Sequence, residues 1–137
     1  MKIILKTEQN KRDWILIRTE VFMKEQGFKN EFDEIDNSAV HLTVYADGEP
    51  AGCGRVFEEN GYFVIGRIAV RKQFRNLGLG KVIMNGLEKI AKEKGAKKIR
   101  LTAQIRAKGF YKRLGYREFG EPCMDEHVEH IKMEKEI

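Results

Sequence analysis

A mixed α/β fold, with a mostly antiparallel sheet of six to seven strands flanked by helices, is predicted by three observations in this 137-residue sequence. Two turn dipeptides, Asp47-Gly48 and Asn60-Gly61, separate three consecutive strand-like runs, the pattern of an antiparallel meander. An amphipathic helical pattern follows over 78–94 and supplies a covering layer. Strand and helix signals then alternate to the end of the chain, which calls for a sheet of mixed direction.

The elements follow in order. Residues 2–6 (KIILK) read as a short strand. From Lys11 to Glu25 the apolar positions Trp14, Ile17, Val21 and Phe22 recur at helical spacing, with Asn10 as the expected N-cap. The stretch 27–37 (GFKNEFDEIDN) has no clean period and reads as an exposed loop or a short helix. Residues 40–46, 50–58 and 62–70 are the three meander strands, the last interrupted by Gly66. The helix over 78–94 carries Leu79, Val82, Ile83, Leu87, Ile90 and Ala91 on one face and ends at Gly95, a residue suited to the left-handed position after a helix. Residues 98–104 form a strand, 107–114 a short helix stopped by Gly115, and 116–120 and 130–135 two last strands.

Size and composition bound the function. One domain spanning 1–137 is expected, because domains commonly run to roughly 100–150 residues. No apolar run approaches the ~18 residues of a membrane span and no signal-peptide pattern opens the chain. Cys53 and Cys123 are the only cysteines, too few for a disulfide framework, so a cytoplasmic, membrane-free protein is expected. The 26 Lys and Arg exceed the 21 Asp and Glu, giving a net charge of +5. That excess favours anionic ligands.

The segment most suited to an anion is Arg75-Asn76-Leu77-Gly78-Leu79-Gly80-Lys81, where a strand gives way to a helix. Amides at a helix N-terminus are unpaired and aligned with the dipole, so they bind phosphate, and glycines let a ligand approach the main chain. Two familiar phosphate motifs do not fit. Val82 stands where a Walker loop needs Ser or Thr, and Ile83 where a dinucleotide fingerprint needs its third glycine.

Arg75-x-x-Gly78-x-Gly80, between a strand over 62–70 and a helix over 80–94, resembles the acyl-coenzyme A signature of the GNAT N-acetyltransferase superfamily. Downstream, Gln104-x-x-Ala107-x-x-Phe110-Tyr111-x-x-x-Gly115-Tyr116 is similar to that family's second motif, and the element order agrees over essentially the whole chain. The segments VFMKEQG (21–27) and EIDN (34–37), with the tail His130-Ile131-Lys132-Met133, resemble a small bacterial branch of acetyltransferases.

The resemblance implies a sheet splayed between strands 62–70 and 98–104, with the pantetheine arm of acetyl-coenzyme A lying in the gap. Gly66 offers a physical reason, since a glycine inside a strand often marks a bulge or a close backbone approach. It implies that the main chain of Ile68, Ala69 and Val70 faces the thioester, one amide polarising its oxygen. Arg75, Asn76, Leu77, Gly78, Leu79, Gly80 and Lys81 would cradle the pyrophosphate, and Gln104 and Phe110 would belong to the same cofactor site. Tyr111 matches the position that gives a proton or hydrogen bond to the departing thiolate. A phenol near pKa 10 and a thiol near 8.5 make full transfer uphill by roughly 2 kcal/mol, so a hydrogen bond is the expected role.

An amine must lose a proton before it attacks, and Glu25, Glu34 and His41 are the candidate bases. The acidic residues 31–36 read as a solvated loop that can also draw in a cationic amine. Cys123-x-x-x-His127-x-x-His130 lacks a fourth ligand and standard spacing, so no metal is expected. The resulting expectation is acetyl transfer to a primary amine of a small molecule or peptide, by direct attack in a ternary complex. A non-catalytic acyl-coenzyme A sensor is one alternative. A nucleic-acid binding module is another, but the chain lacks a helix-turn-helix or aromatic sheet signature. A homodimer is compatible with exposed sheet edges.

Overall fold

The computed structural model describes residues 1–137. Seven strands form one sheet: β1 (Ile3–Lys6), β2 (Val40–Ala46), β3 (Glu49–Glu59), β4 (Tyr62–Val70), β5 (Lys98–Gln104), β6 (Arg117–Asp125) and β7 (Val128–Glu136). Their spatial order is β1-β2-β3-β4-β5-β7-β6, and every pairing is antiparallel except β4 with β5. The helices are α1 (Lys11–Arg18), α2 (Leu79–Glu93) and α3 (Lys108–Arg113).

Local chemistry explains the meander. At Asp47-Gly48 and Asn60-Gly61 both residues of each pair have positive φ, between 50° and 85°. That twist matches paired strands and suits Asp, Asn and Gly. The last hairpin differs. Residues 116–120 and 130–135 were expected as separate short strands, yet β6 and β7 are longer and join through Glu126 and His127. Glu126 sits at φ 52° without being glycine or asparagine. Its carboxylate accepts the backbone N–H groups of Lys29 and Asn30, and His127 Nε2 lies 2.7 Å from the Gln26 carbonyl. Contacts from about a hundred residues away hold this turn.

The sheet is covered on both faces. On one, α2 buries Leu79, Ile83, Met84, Leu87 and Ala91 against Val44, Ile65, Ile99, Leu101 and Met133. Gly54 on β3 permits this approach: a Cβ there would lie 2.5 Å from Ile68 Cδ1 and 2.7 Å from Leu87 Cδ1. On the other face, Trp14, Ile17, Val21, Phe22 and Phe28 pack with Cys53 and Ala69.

The first helix departs from its expected course. It is α-helical only to Arg18 and continues as a π-helix over Thr19–Glu25. Residues five apart lie about 140° apart around an α-helix. The wider i→i+5 winding brings them back toward one face. Glu20 and Glu25 accordingly both reach the chain after β4, bonding to Arg71 and Arg75. Asn10 stands at the N-cap position but makes no side-chain cap. Its amide instead donates to the Lys6 carbonyl, the His41 carbonyl and Thr43 Oγ1, tying β1, β2 and α1 together.

The acidic segment is not simply a solvated loop. Around the 3-10 turn Glu34–Asn37, three carboxylates meet three guanidiniums. Arg18, only 1% exposed, donates to Glu31 Oε2 at 2.8 Å and to Asp36 Oδ1 at 2.7 Å. Arg55 bonds Asp33 and Asp36, each at 2.7 Å, and Arg67 contacts Glu31 and Asp33. The expected capacity of this cluster to attract a cationic amine is therefore largely spent within the protein.

Candidate active site

The parallel junction between β4 and β5 is brief. Only Phe63↔Ile99 and Val64↔Arg100 are in register. From Ile65 to Val70, about 20 Å of strand edge, β4 has no ladder partner on the β5 side. A bulge accompanies the divergence. On β3, Cys53 pairs with Ala69 and Arg55 with Gly66, so two steps on β3 oppose three on β4. The sequence pointed to Gly66, but the left-handed residue is its neighbour Arg67, at φ 55°. Such a conformation costs a non-glycine residue on the order of 1–2 kcal/mol. Arg67's ties to Glu31, at 3.1 Å, and to Asp33, at 3.4 Å, hold it there.

A cavity of about 80 Å³ occupies the divergence. Gly66, Arg67 and Ile68 border it from β4, with Thr102 and Gln104 across on β5. Tyr111 of α3, Glu31 and His130 of β7 also face it. Gln104 donates to Gln26 Oε1 at 2.8 Å and accepts from Arg106 Nε at 2.9 Å, which fixes its amide. Tyr111 stands edge-on to Phe110 and Tyr116. Burial pushes its phenol up to about 12. Proton transfer to a thiolate would then be uphill by roughly 5 kcal/mol, which suits the phenol to donating a hydrogen bond rather than a proton.

The glycine segment opens beside this gap. Asn76 and Gly78 take positive φ, 65° and 77°, and Gly78 is the N-cap of α2. No side chain caps the helix, and its first internal bond there is Val82 N–H to the Gly78 carbonyl at 3.3 Å. The amides of Leu79, Gly80 and Lys81 precede the first intrahelical bonds and are available to an anion. A Cβ on Gly80 would lie 3.2 Å from Phe110 Cζ, so this glycine lets α3 seat against the start of α2. Leu77 is 50% exposed. Arg75 is committed elsewhere: Nε donates to the Val70 carbonyl, and both terminal nitrogens bond Glu25 at 2.6 Å.

None of the three base candidates lines the gap. Glu25 is held by Arg75, whose hydrogen bonds keep its carboxyl below the usual range. Glu34 is exposed on its 3-10 turn. His41 stacks on Trp14, 3.9 Å between centroids, with Nε2 2.9 Å from the Asp36 carbonyl. It borders a separate cavity of about 660 Å³, and burial lowers its pKa. Among the residues that do line the gap, Glu31, Arg67, Thr102, Asp125 and His130 are polar or charged groups that carried no sequence signal for this site. No group of three or more His, Cys, Asp or Glu side chains is placed to hold a metal ion. No helix is long and apolar enough to cross a membrane.

Comparison with known proteins agrees with this geometry. The family model "Acetyltransferase (GNAT) domain" matches residues 7–137. The chain is 39% identical to the uncharacterized N-acetyltransferase YjcF of Bacillus subtilis, with 98% of each chain covered. It is 37% identical to the uncharacterized protein YyaT of the same organism, covering 96% of this chain and 92% of that one. Among solved structures, Escherichia coli ElaA superposes with a TM-score of 0.87 at 20% identity, over 98% of this chain and 99% of that one. PaiA N-acetyltransferase from Thermoplasma acidophilum, solved in complex with coenzyme A, gives 0.79 at 18% identity over all of both chains. These two likenesses concern the fold. With a splayed β4/β5 junction, a glycine turn opening α2 and a family match across nearly its full length, the chain belongs to the GNAT acetyltransferase family, whose enzymes transfer acyl groups from acyl-coenzyme A.

Proposed function

We propose that residues 1–137 act as a single N-acetyltransferase domain that moves an acetyl group from acetyl-coenzyme A to a primary amine of a small molecule or peptide. The observation that carries this reading is the unpaired edge of β4 from Ile65 onward, lying between the free amides at the start of α2 and the partly buried Tyr111 phenol. An extended pantetheine arm satisfies the main chain of Ile68, Ala69 and Val70 as an added strand would. A thioester carbonyl beside those amides gains a donor as negative charge develops on its oxygen.

The pyrophosphate takes the N–H groups across Asn76, Leu77, Gly78, Leu79, Gly80 and Lys81, with the Lys81 ammonium as added charge. Arg75 supports the loop through Glu25 and the Val70 carbonyl, and turns to the phosphates only if that pair opens. Phe110 seats α3 against Gly80, and Gln104 presents its fixed amide to the arm. Tyr111 hydrogen-bonds the departing thiolate. No side chain in the gap has the setting of a nucleophile: Cys53, the buried thiol, lies outside it, and burial pushes that thiol up to about 12. Direct attack by the amine is the simpler route.

Calorimetric titration with coenzyme A, followed by thiol release from acetyl-coenzyme A over a panel of primary amines, tests the reading. Saturable binding and amine-dependent release are expected. Absence of coenzyme A binding by folded protein would overturn it, and binding without release on any amine would favour a sensor.

A further inference from the structure

We propose that His130 is the general base of the reaction, its Nε2 taking the proton that the acceptor nitrogen gives up. The inference rests on the acetyl-transfer reading above and names the group that reading leaves open.

The ring sits on β7, opposite Gln104 of β5 and Cys123 of β6, and borders the cavity between β4 and β5. It is 7% exposed and meets Phe28 edge-on at 6.4 Å, so its orientation is held. Nδ1 lies 2.9 Å from the Val128 carbonyl. A carbonyl can only accept, so the neutral ring carries its hydrogen on Nδ1. Nε2 is then a lone pair, and it bonds no protein group. A pinned donor nitrogen with a free acceptor nitrogen, on a ring that borders the gap, is the arrangement a proton acceptor needs.

The charged and titratable groups around the ring are Glu31 from the loop, Arg67 from β4, Tyr111 from α3, and Asp125 and Cys123 from β6, with His127 in the adjoining turn. Glu31 is the only rival carboxylate facing the ring from the loop. Burial pushes its carboxyl up, but its Oε2 already serves Arg18 and Arg67, and protonating it would strip counter-charge from a guanidinium that is 1% exposed. Asp125 also borders the cavity, but it is exposed at the end of β6, where solvent holds its carboxylate rather than a fixed partner.

The step balances as follows. The amine enters as free base, and its lone pair forms the C–N bond to the thioester carbon. The C–S bond breaks with its electron pair going to sulfur, where Tyr111 donates a hydrogen bond to the thiolate. The surplus proton on nitrogen passes to His130 Nε2, and the imidazolium returns it to solvent.

The test compares the parent with His130→Gln, using benzylamine, spermidine and an alanyl tripeptide as acceptors. General bases typically supply 10²–10⁴-fold. His130→Gln is therefore expected to lower kcat by about a hundredfold or more and to abolish the acid-side fall of kcat, while coenzyme A affinity and amine KM change only a few-fold. Unchanged kcat with the parental pH profile overturns the proposal and leaves the acetyl-transfer reading standing. A parent that binds no coenzyme A, or turns over none of the amines, overturns that reading and the proposal with it. Should the variant not fold, long-range ¹H–¹⁵N spectra of the parent decide: a hydrogen on Nδ1 with bare Nε2 supports the assignment, and a hydrogen on Nε2 alone refutes it.

Discussion

Replacing Asp36 by Asn probes the buried ionic cluster most directly. Its carboxylate accepts from Arg18 Nη1 and Arg55 Nη1 at 2.7 Å each, and from Arg18 Nη2 and the Asp33 N–H at 3.1 Å each. The side chain is 8% exposed. The amide keeps the shape but removes one of three negative charges facing three guanidiniums, and it points an NH₂ at a donor. Breaking a buried pair on one side costs about 3–5 kcal/mol, a large share of the 5–15 kcal/mol typical of a whole domain. At roughly 3 °C per kcal/mol for a chain of this size, the melting point should fall by about 10–15 °C. Urea unfolding at pH 7 measures the change. The sign of the pH dependence follows from the same contacts. Hydrogen bonds from Arg18 and Arg55 hold the Asp36 carboxyl well below the usual carboxylate range despite burial. The stabilisation is complete above about pH 4 and is lost as pH falls through the depressed native pKa. Asp36→Asn should remove that acid dependence. A loss of less than about 1 kcal/mol at pH 7 would refute the reasoning, since the cluster would then behave as screened surface pairs do.

Four further outcomes are expected. Tyr111→Phe should lower kcat by about 10- to 150-fold, the worth of a hydrogen bond to a charged group at about 1.5–3 kcal/mol, with coenzyme A affinity unchanged by calorimetry; an equal loss of affinity would make Tyr111 a binding residue instead. Gly54→Ala should destabilise by about 1–3 kcal/mol in urea, because its Cβ meets Ile68 and Leu87. Glu25→Gln should change stability by less than about 1 kcal/mol, since its pair with Arg75 is a third exposed on both sides; its readout is tighter coenzyme A binding at low salt, as Arg75 is released, and weaker binding would count against that role. Burial lowers the His41 pKa, so its contribution is present above about pH 6.5 and is lost as pH falls below. His41→Gln should flatten the urea midpoint between pH 7 and 5, and an unaltered slope would exclude His41 as its source.

How much of this was legible in sequence depends on the distance over which each feature is decided. The meander was readable because Asp47-Gly48 and Asn60-Gly61 carry their turn chemistry within two residues. The glycine turn that opens α2 was readable for the same reason, as Gly78 takes its left-handed N-cap position where it stands. The turn at Glu126 was not, because its left-handed residue is secured by Lys29 and Asn30. The bulge was located within one residue, but Arg67 rather than Gly66 takes the strained position, through partners on a loop more than thirty residues earlier. Glu31 could be seen only as part of an acidic run, and His130 only as part of an incomplete metal pattern and of a family-like tail. Their meeting across one cavity is a product of the assembled sheet and the loop packed on it.

The brevity of the β4/β5 junction has a mechanical corollary. Two residue pairs form the whole backbone ladder between the four-strand N-terminal half of the sheet and its three-strand C-terminal half. A molecule wedged along that seam, bonded to both sides, would splice the halves as a keystone does an arch. Hydrogen exchange should then slow on both flanks together when the seam is filled, and the two blocks should melt in concert rather than one ahead of the other.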